Sequence, residues 1–241
     1  MIPLPMHARS NGRSLQRCAI LIVLPLLLLA GAALAHTVAE GDQDFVRSSA
    51  GAQILPFIYL GAKHMVTGYD HLLFLAGVIF FLYRLKEVAL YVTLFAIGHS
   101  STLLLGVLTG LHVNAFLIDA IIGLSVVYKA LDNMDAFRTL FGWQPNAKLA
   151  VLVFGFFHGF GLATKLQELN LSREGLVPNM LAFNVGVEIG QLLALSAILL
   201  VMNYWRRTAS FARHAYGANV VLLTAGFVLT GLQLTAFALG S

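Results

Sequence analysis

Residues 178–204 read PNMLAFNVGVEIGQLLALSAILLVMNY, with Glu188 as the single charged residue. A helix of that length spans about 40 Å, more than the roughly 30 Å hydrocarbon core of a bilayer, so the run predicts a transmembrane helix. Asn184, Glu188 and Gln191 fall at i, i+4 and i+7, which places them on one face. Gly186 and Gly190 form a small-xxx-small pair on another face. A polar stripe beside a packing groove predicts a helix whose stripe faces a cavity inside a bundle.

Moving outward, the same pattern recurs at 54–83, 87–110, 113–131, 148–166 and 216–238, which predicts about six spans in all. The chain of 241 residues is 59% hydrophobic and 11% charged, against about 25% charged in soluble domains. Such a composition excludes a large soluble domain. The reading is an all-α, polytopic membrane helix bundle, one domain over 54–241, preceded by a short polar segment at 36–53. The run at 54–83 is too long for one straight span and is interrupted by Gly61 and Gly68, so it is expected to divide into two half-helices. A break at that depth needs protein or water around the backbone.

The first 35 residues read differently. Arg9, Arg13 and Arg17 precede the apolar stretch Ala19 to Ala33, followed by Ala33-Leu34-Ala35. This is the pattern of a secretory signal peptide, with cleavage after Ala35 exposing His36. Its arginines account for three of the formal charge of +4, so no nucleic-acid partner is implied. Cys18 is the only cysteine and falls in this segment, so a metal site in the mature chain must use nitrogen and oxygen donors. Lys and Arg in the connections favour one side. Arg84, Lys86, Lys129, Arg138, Lys148, Arg206, Arg207 and Arg213 gather there, with Lys129 expected to snorkel to the interface; Arg47, Lys63, Lys165 and Arg173 stay on the other. The bias predicts a bacterial-type inner (plasma) membrane protein with its mature N-terminus outside.

Ionisable groups at membrane depth cost about 2.5–3.5 kcal/mol each for Asp, Lys or Arg, and they are rare without a partner or a task. This chain places His64, Asp70 and His71 in the first span, His99 in the second, Asp119 in the third, His158 in the fourth and Glu188 in the fifth. Polar groups on five helices predict one shared site. Imidazoles with carboxylates suit Ni, Co, Zn or Cu(II). Around them Ser100, Thr102, Ser125, Asn184 and Gln191 are candidates for holding the histidines or lining a path, and Ser101 suits a helix interface. His36, with the new amine beside its imidazole, would be an extra ligand.

At these residues the chain resembles the HupE/UreJ family of membrane proteins, which is named for hydrogenase and urease accessory gene clusters and regarded as nickel or cobalt permeases. The resemblance rests on GAKHMVTGYDHLLF (61–74), GHSSTL (98–103), LIDAIIGLSVV (117–127), FGFFHGFGLA (154–163) and FNVGVEIGQ (183–191), in that order. It implies a divalent-metal function for His64, Asp70, His71, His99, His158 and Glu188, with metalloenzyme maturation proteins as possible partners. It also implies a transporter or accessory protein in preference to an enzyme. The alternative is an intramembrane zinc-dependent hydrolase built on the same cluster, with Asp70 or Glu188 as general base. A Ser100–His99 nucleophile pair is poorly aimed, since adjacent helical residues point about 100° apart. No GxxxxGK[ST] pattern occurs, so transport would draw on an ion gradient or a partner.

Overall fold

The computed structural model describes residues 40–169 and 172–240. The signal peptide expected at 1–35 and the candidate ligand His36 lie outside the described residues. Among those residues the chain is helical throughout: α1 Glu40–Ser48, α2 Ile54–Thr67, α3 Tyr69–Ile79, α4 Leu85–Thr109, α5 Ala115–Asn133, α6 Ala136–Phe141, α7 Ala147–Gln167, α8 Leu176–Arg206 and α9 Ala209–Leu239. Local chemistry sets several ends. The Asn114 side chain accepts from the Leu117 N–H and that of Asn146 from Lys148 and Leu149, capping α5 and α7. Gly110 closes α4 with a left-handed φ of 69°.

Four helices have the length and apolarity of membrane spans: α4 over Lys86–Thr109, α7, α8 and α9. The apolar runs of the sequence predict six. The other two expected positions are occupied, but differently. α5 is 19 residues long and carries Asp119, Lys129 and Asp132, while the first run is divided between α2 and α3, each too short alone to cross a bilayer. The division falls at Gly68. Gly61 lies inside α2 and serves packing instead.

The bundle is assembled from three intimate helix pairs, α2 with α8, α4 with α7, and α5 with α9. Each meets at glycines. A Cβ on Gly61 would strike the Phe183 carbonyl and one on Gly186 the Ile58 carbonyl; a Cβ on Gly155 would lie 2.5 Å from the Phe95 carbonyl oxygen, and one on Gly226 would lie 2.8 Å from the Val127 amide. Backbones at this separation gain dense van der Waals contact, the main source of helix association in lipid. The short helix α3 packs between α5 and α8. Its far end is tied down by Asn133, whose amide donates to the Gly77 carbonyl and to Asn219 Oδ1 at 2.9 Å each. Arg206 adds bonds to the carbonyls of Ile79 and Phe80. At the opposite end Asn179 accepts from the Gln53 N–H at 2.6 Å and donates to the Gly51 carbonyl at 2.9 Å, joining the start of α2 to α8.

Two basic residues differ from expectation. Lys129 does not snorkel: it is buried and paired with Asp132, one turn on, which also accepts from Gln144. Lys165, expected in a connection, belongs to the last turn of α7 and reaches into the bundle. The connector at 133–147 contains the short helix α6.

The glycine contacts predict a contrast. Gly186→Ala forces α2 and α8 apart and is expected to destabilise by about 1–3 kcal/mol, the usual overpacking range. Gly217→Ala, in α9 where an added methyl group would meet nothing within 4 Å, is expected to leave stability unchanged or raise it. Thermal unfolding of the two detergent-purified variants checks this; equal midpoints would refute the packing account.

Candidate metal centre

The centre is organised by the chain break. Gly68 adopts φ −73° and ψ 108°, leaving the helical region for one residue. Its N–H still donates to the His64 carbonyl at 3.0 Å and its own carbonyl accepts from Leu72 at 3.0 Å, so α3 resumes at Tyr69. The kink brings the last turn of α2 against the first turn of α3. His64 and His71 meet edge to face with ring centroids 5.1 Å apart. A Cβ at this position would run into His71 Nδ1 and lie 3.1 Å from Asp70 Oδ1, so any larger residue would push the His71 ring aside. Asp70 stands in the first turn of α3, where the helix dipole favours a carboxylate. Its Oδ1 is 3.1 Å from His71 Nδ1.

Helix α7 supplies His158 from the other side, with its ring 5.1 Å from that of His71. His158 Nδ1 donates to the Phe154 carbonyl at 2.8 Å, which leaves Nε2 as the lone-pair nitrogen, buried and making no hydrogen bond. Asp70, His71 and His158 are 3%, 5% and 2% exposed, and each offers one donor atom such that the three lie within 4.8 Å of one another. Three donors bound to one ion at about 2.1 Å lie about 3.4 Å apart in a tetrahedral sphere, so seating a metal requires the three to draw together by up to about 1.4 Å.

His99 adds a fourth imidazole from α4. It stacks on Phe95 at 5.9 Å and is close enough to His64, His71 and His158 for their charges to interact. Neither ring nitrogen makes a hydrogen bond, although the residue is fully buried. Glycines at 155 and 159 of α7 let the two helices approach here. Thr102, a candidate for orienting the imidazole, does something else: its hydroxyl meets the Phe156 carbonyl across the interface at 2.8 Å.

The remaining candidates separate by position. On α8, Asn184 and Gln191 are buried, and neither amide has a hydrogen-bond partner. Glu188 is exposed and lines a groove of about 460 Å³ between α4 and α8, together with Ser100 and Ser101. Ser101 therefore faces this groove rather than a helix contact. At about 100° per residue, Glu188 and Gln191 are about 60° apart around α8, enough to put the first on the rim and the second inside. Asp119 is held by Lys165 at 2.7 and 3.0 Å, a buried ion pair between α5 and α7. Ser125 donates to the Ile122 carbonyl at 2.6 Å and stays within its own helix. The structure thus brings together His64, Asp70, His71, His99 and His158; Glu188 and Ser100 face the outer groove, Asp119 and Ser125 are bonded elsewhere, and Thr102 meets, of this group, only the His99 backbone carbonyl, at 3.4 Å. Sequence reasoning misses Lys165 as the partner of Asp119. The available signal is its spacing of seven from His158, which puts it on the same face of α7.

A model of the HupE / UreJ protein family matches residues 40–241. No curated protein and no solved structure matches the chain.

Removing one partner from a buried ion pair leaves the other charge uncompensated, typically at about 3–5 kcal/mol, whereas removing both is far milder. Asp119→Asn is accordingly expected to lower stability more than the double substitution Asp119→Asn, Lys165→Met. Unfolding midpoints in detergent measure the difference; a double variant no more stable than the single one would contradict it.

Proposed function

The chain belongs to the HupE/UreJ family, and from that premise we propose that it is a permease for a divalent transition metal, nickel or cobalt, in the inner membrane. The observation that carries the reading is the convergence of Asp70, His71 and His158 donors in a buried position, with His64 and His99 beside them. Packing alone does not call for four imidazoles and a carboxylate in one place, since taking polar and ionisable groups out of water is costly. Nitrogen and oxygen donors without thiolate match the borderline divalent ions. Zn and Cu(II) suit the same set, and family membership is what favours nickel or cobalt.

The ion is cargo in this reading. Its ligands come from α2, α3, α4 and α7, so a displacement between helices changes the coordination sphere, as release requires. Asn184 and Gln191 line the path as neutral polar groups. Counting α5 and the α2–α3 pair as membrane-crossing gives six passes, with the start of α2 outside and the Arg206 end of the bundle on the basic, inner side. Lipid is the surrounding partner, and a metalloenzyme maturation protein would receive the ion inside. Nothing favours the zinc-hydrolase alternative over transport: it would use the same Asp70, His71 and His158, and Glu188, one of its two candidate bases, lies on the outer groove.

The test is bound metal and flux. Detergent-purified protein is expected to carry or take up about one Ni or Co per chain by mass spectrometry, and proteoliposomes to move it. The double variant His71→Ala, His158→Ala is expected to remain folded and lose both properties. A folded parent protein that neither binds nor moves any of Ni, Co, Zn or Cu would overturn the proposal.

A further inference from the structure

Toward the Arg206 end of the bundle the metal centre is closed by aromatic rings. Phe74, three residues beyond His71 on α3, has its ring centroid 5.8 Å from His158, 5.7 Å from Phe95 and 6.1 Å from Phe154. Phe95 in turn lies 4.9 Å from His158. Val78, Val126, Ala130 and Val151 pack around these rings and complete a dry layer. It offers a cation no donor, and an ion stripped of its ligands in such surroundings is prohibitively unfavourable.

Polar groups resume directly behind that layer. The ring of Tyr128 is 5.4 Å from Phe154, and its hydroxyl is buried without a hydrogen bond. Asp132 is near enough to Tyr128 and Tyr91 to interact electrostatically with both, and is held by Lys129 and Gln144. A polar layer thus follows the apolar one along the bundle, as a path with a single barrier requires. Two features adjoin the barrier. Phe74 belongs to an 11-residue helix that is jointed to its neighbour at Gly68. A small cavity flanks Phe74 and Phe95, reaching from Gln191 to Tyr91 and admitting about one water molecule.

We infer that Phe74, with Phe95 and Phe154, is the gate that shuts the metal centre from the Arg206 end, and that the path to that end passes Phe74 toward Tyr128 and Asp132. This rests on the permease reading for its purpose, but its test needs neither metal nor transport. Cys18 is the only cysteine, so a full-length Cys18→Ser, His99→Cys chain carries one thiol at the centre. Sealed vesicles of both orientations are treated with a charged, membrane-impermeant methanethiosulfonate reagent.

With Phe74 intact, labelling from the Arg206 face is expected to be slow. Adding Phe74→Ala is expected to accelerate it at least tenfold from that face and to leave the other face unchanged. Ile79→Ala serves as the control, since it opens a cavity in the same helix outside the layer and should change neither rate. Phe154→Ala, at a partly exposed ring of the same layer, is expected to act in the same direction and replaces Phe74→Ala if the latter does not purify as a single species. An unchanged rate, equal acceleration from both faces, or the same effect from Ile79→Ala would each overturn the gate. If metal uptake is absent while the one-sided acceleration is present, the permease reading fails and the barrier stands.

Discussion

Peptide groups in hydrocarbon must be hydrogen-bonded within the protein, because no water is there to take the place of a missing partner. The break at Gly68 is where this chain meets that constraint most directly. One residue leaves the helix, yet its N–H and carbonyl remain bonded to His64 and Leu72, so the disturbance is confined to the orphan groups of a single pair of helix ends. Asp70 complements the exposed N-terminus of α3. A continuous helix would hold His64 and His71 about two turns apart; the kink folds them into ring contact and leaves Asp70 between helix end and imidazole. The centre therefore depends on a backbone irregularity, and a side chain at position 68 would displace the His71 ring that the break brings in.

The same constraint sorts the other buried polar residues. Asp119 with Lys165, Lys129 with Asp132 and Gln144, and Asn133 with Asn219 and the Gly77 carbonyl have partners within the protein. They bind helices together and need nothing further. Two of the imidazoles are different. His99 has no hydrogen bond to either ring nitrogen, and His158 spends Nδ1 on a carbonyl while Nε2 is left over. Orphaned donors and acceptors of this kind are few in native proteins and call for an explanation. These two histidines lie beside Asp70 and His71, and the proposed cation would give their free nitrogens a partner.

Much of this is legible from the residues. Apolar run lengths locate α4, α7 and α8 to within two residues at each end, whereas α9 begins seven residues before its run at 216–238; the glycine at 68 marks the break, and histidines at separate places in the chain point to a shared centre. What escapes is rotational and pairwise. Asn184, Glu188 and Gln191 read as one stripe, but a stripe about 60° wide straddles the edge of the buried face, and only the tertiary position of α4 decides which member is left outside. Lys165 reads as a loop residue because hydropathy falls at the end of α7. That it turns inward depends on Asp119, contributed by another helix far away in sequence. Lys129 illustrates the same limit: snorkelling is the default for a lone lysine near an interface, and a carboxylate one turn away reverses it. Ring layers such as Phe74–Phe95–Phe154 leave no trace in a chain this rich in phenylalanine.

The placement of the ligands relative to the tight helix pairs bears on how such a centre could work. His99 and His158 both belong to the α4–α7 pair, which is locked by glycines that put backbone against backbone. His64 belongs to the α2–α8 pair, locked in the same way by Gly61, Gly186 and Gly190. Asp70 and His71 sit on α3, which is in neither pair and is attached through Gly68 at one end and side-chain hydrogen bonds at the other. The centre thus lies on the seam between two rigid units and a short jointed helix. Close-packed interfaces resist continuous deformation and move as bodies, so distances within each pair are fixed by backbone contact, and those across the seam are not. Coordination assembled across a seam can be tightened or released without unpacking either pair. A site built entirely within one pair would bind an ion and hold it.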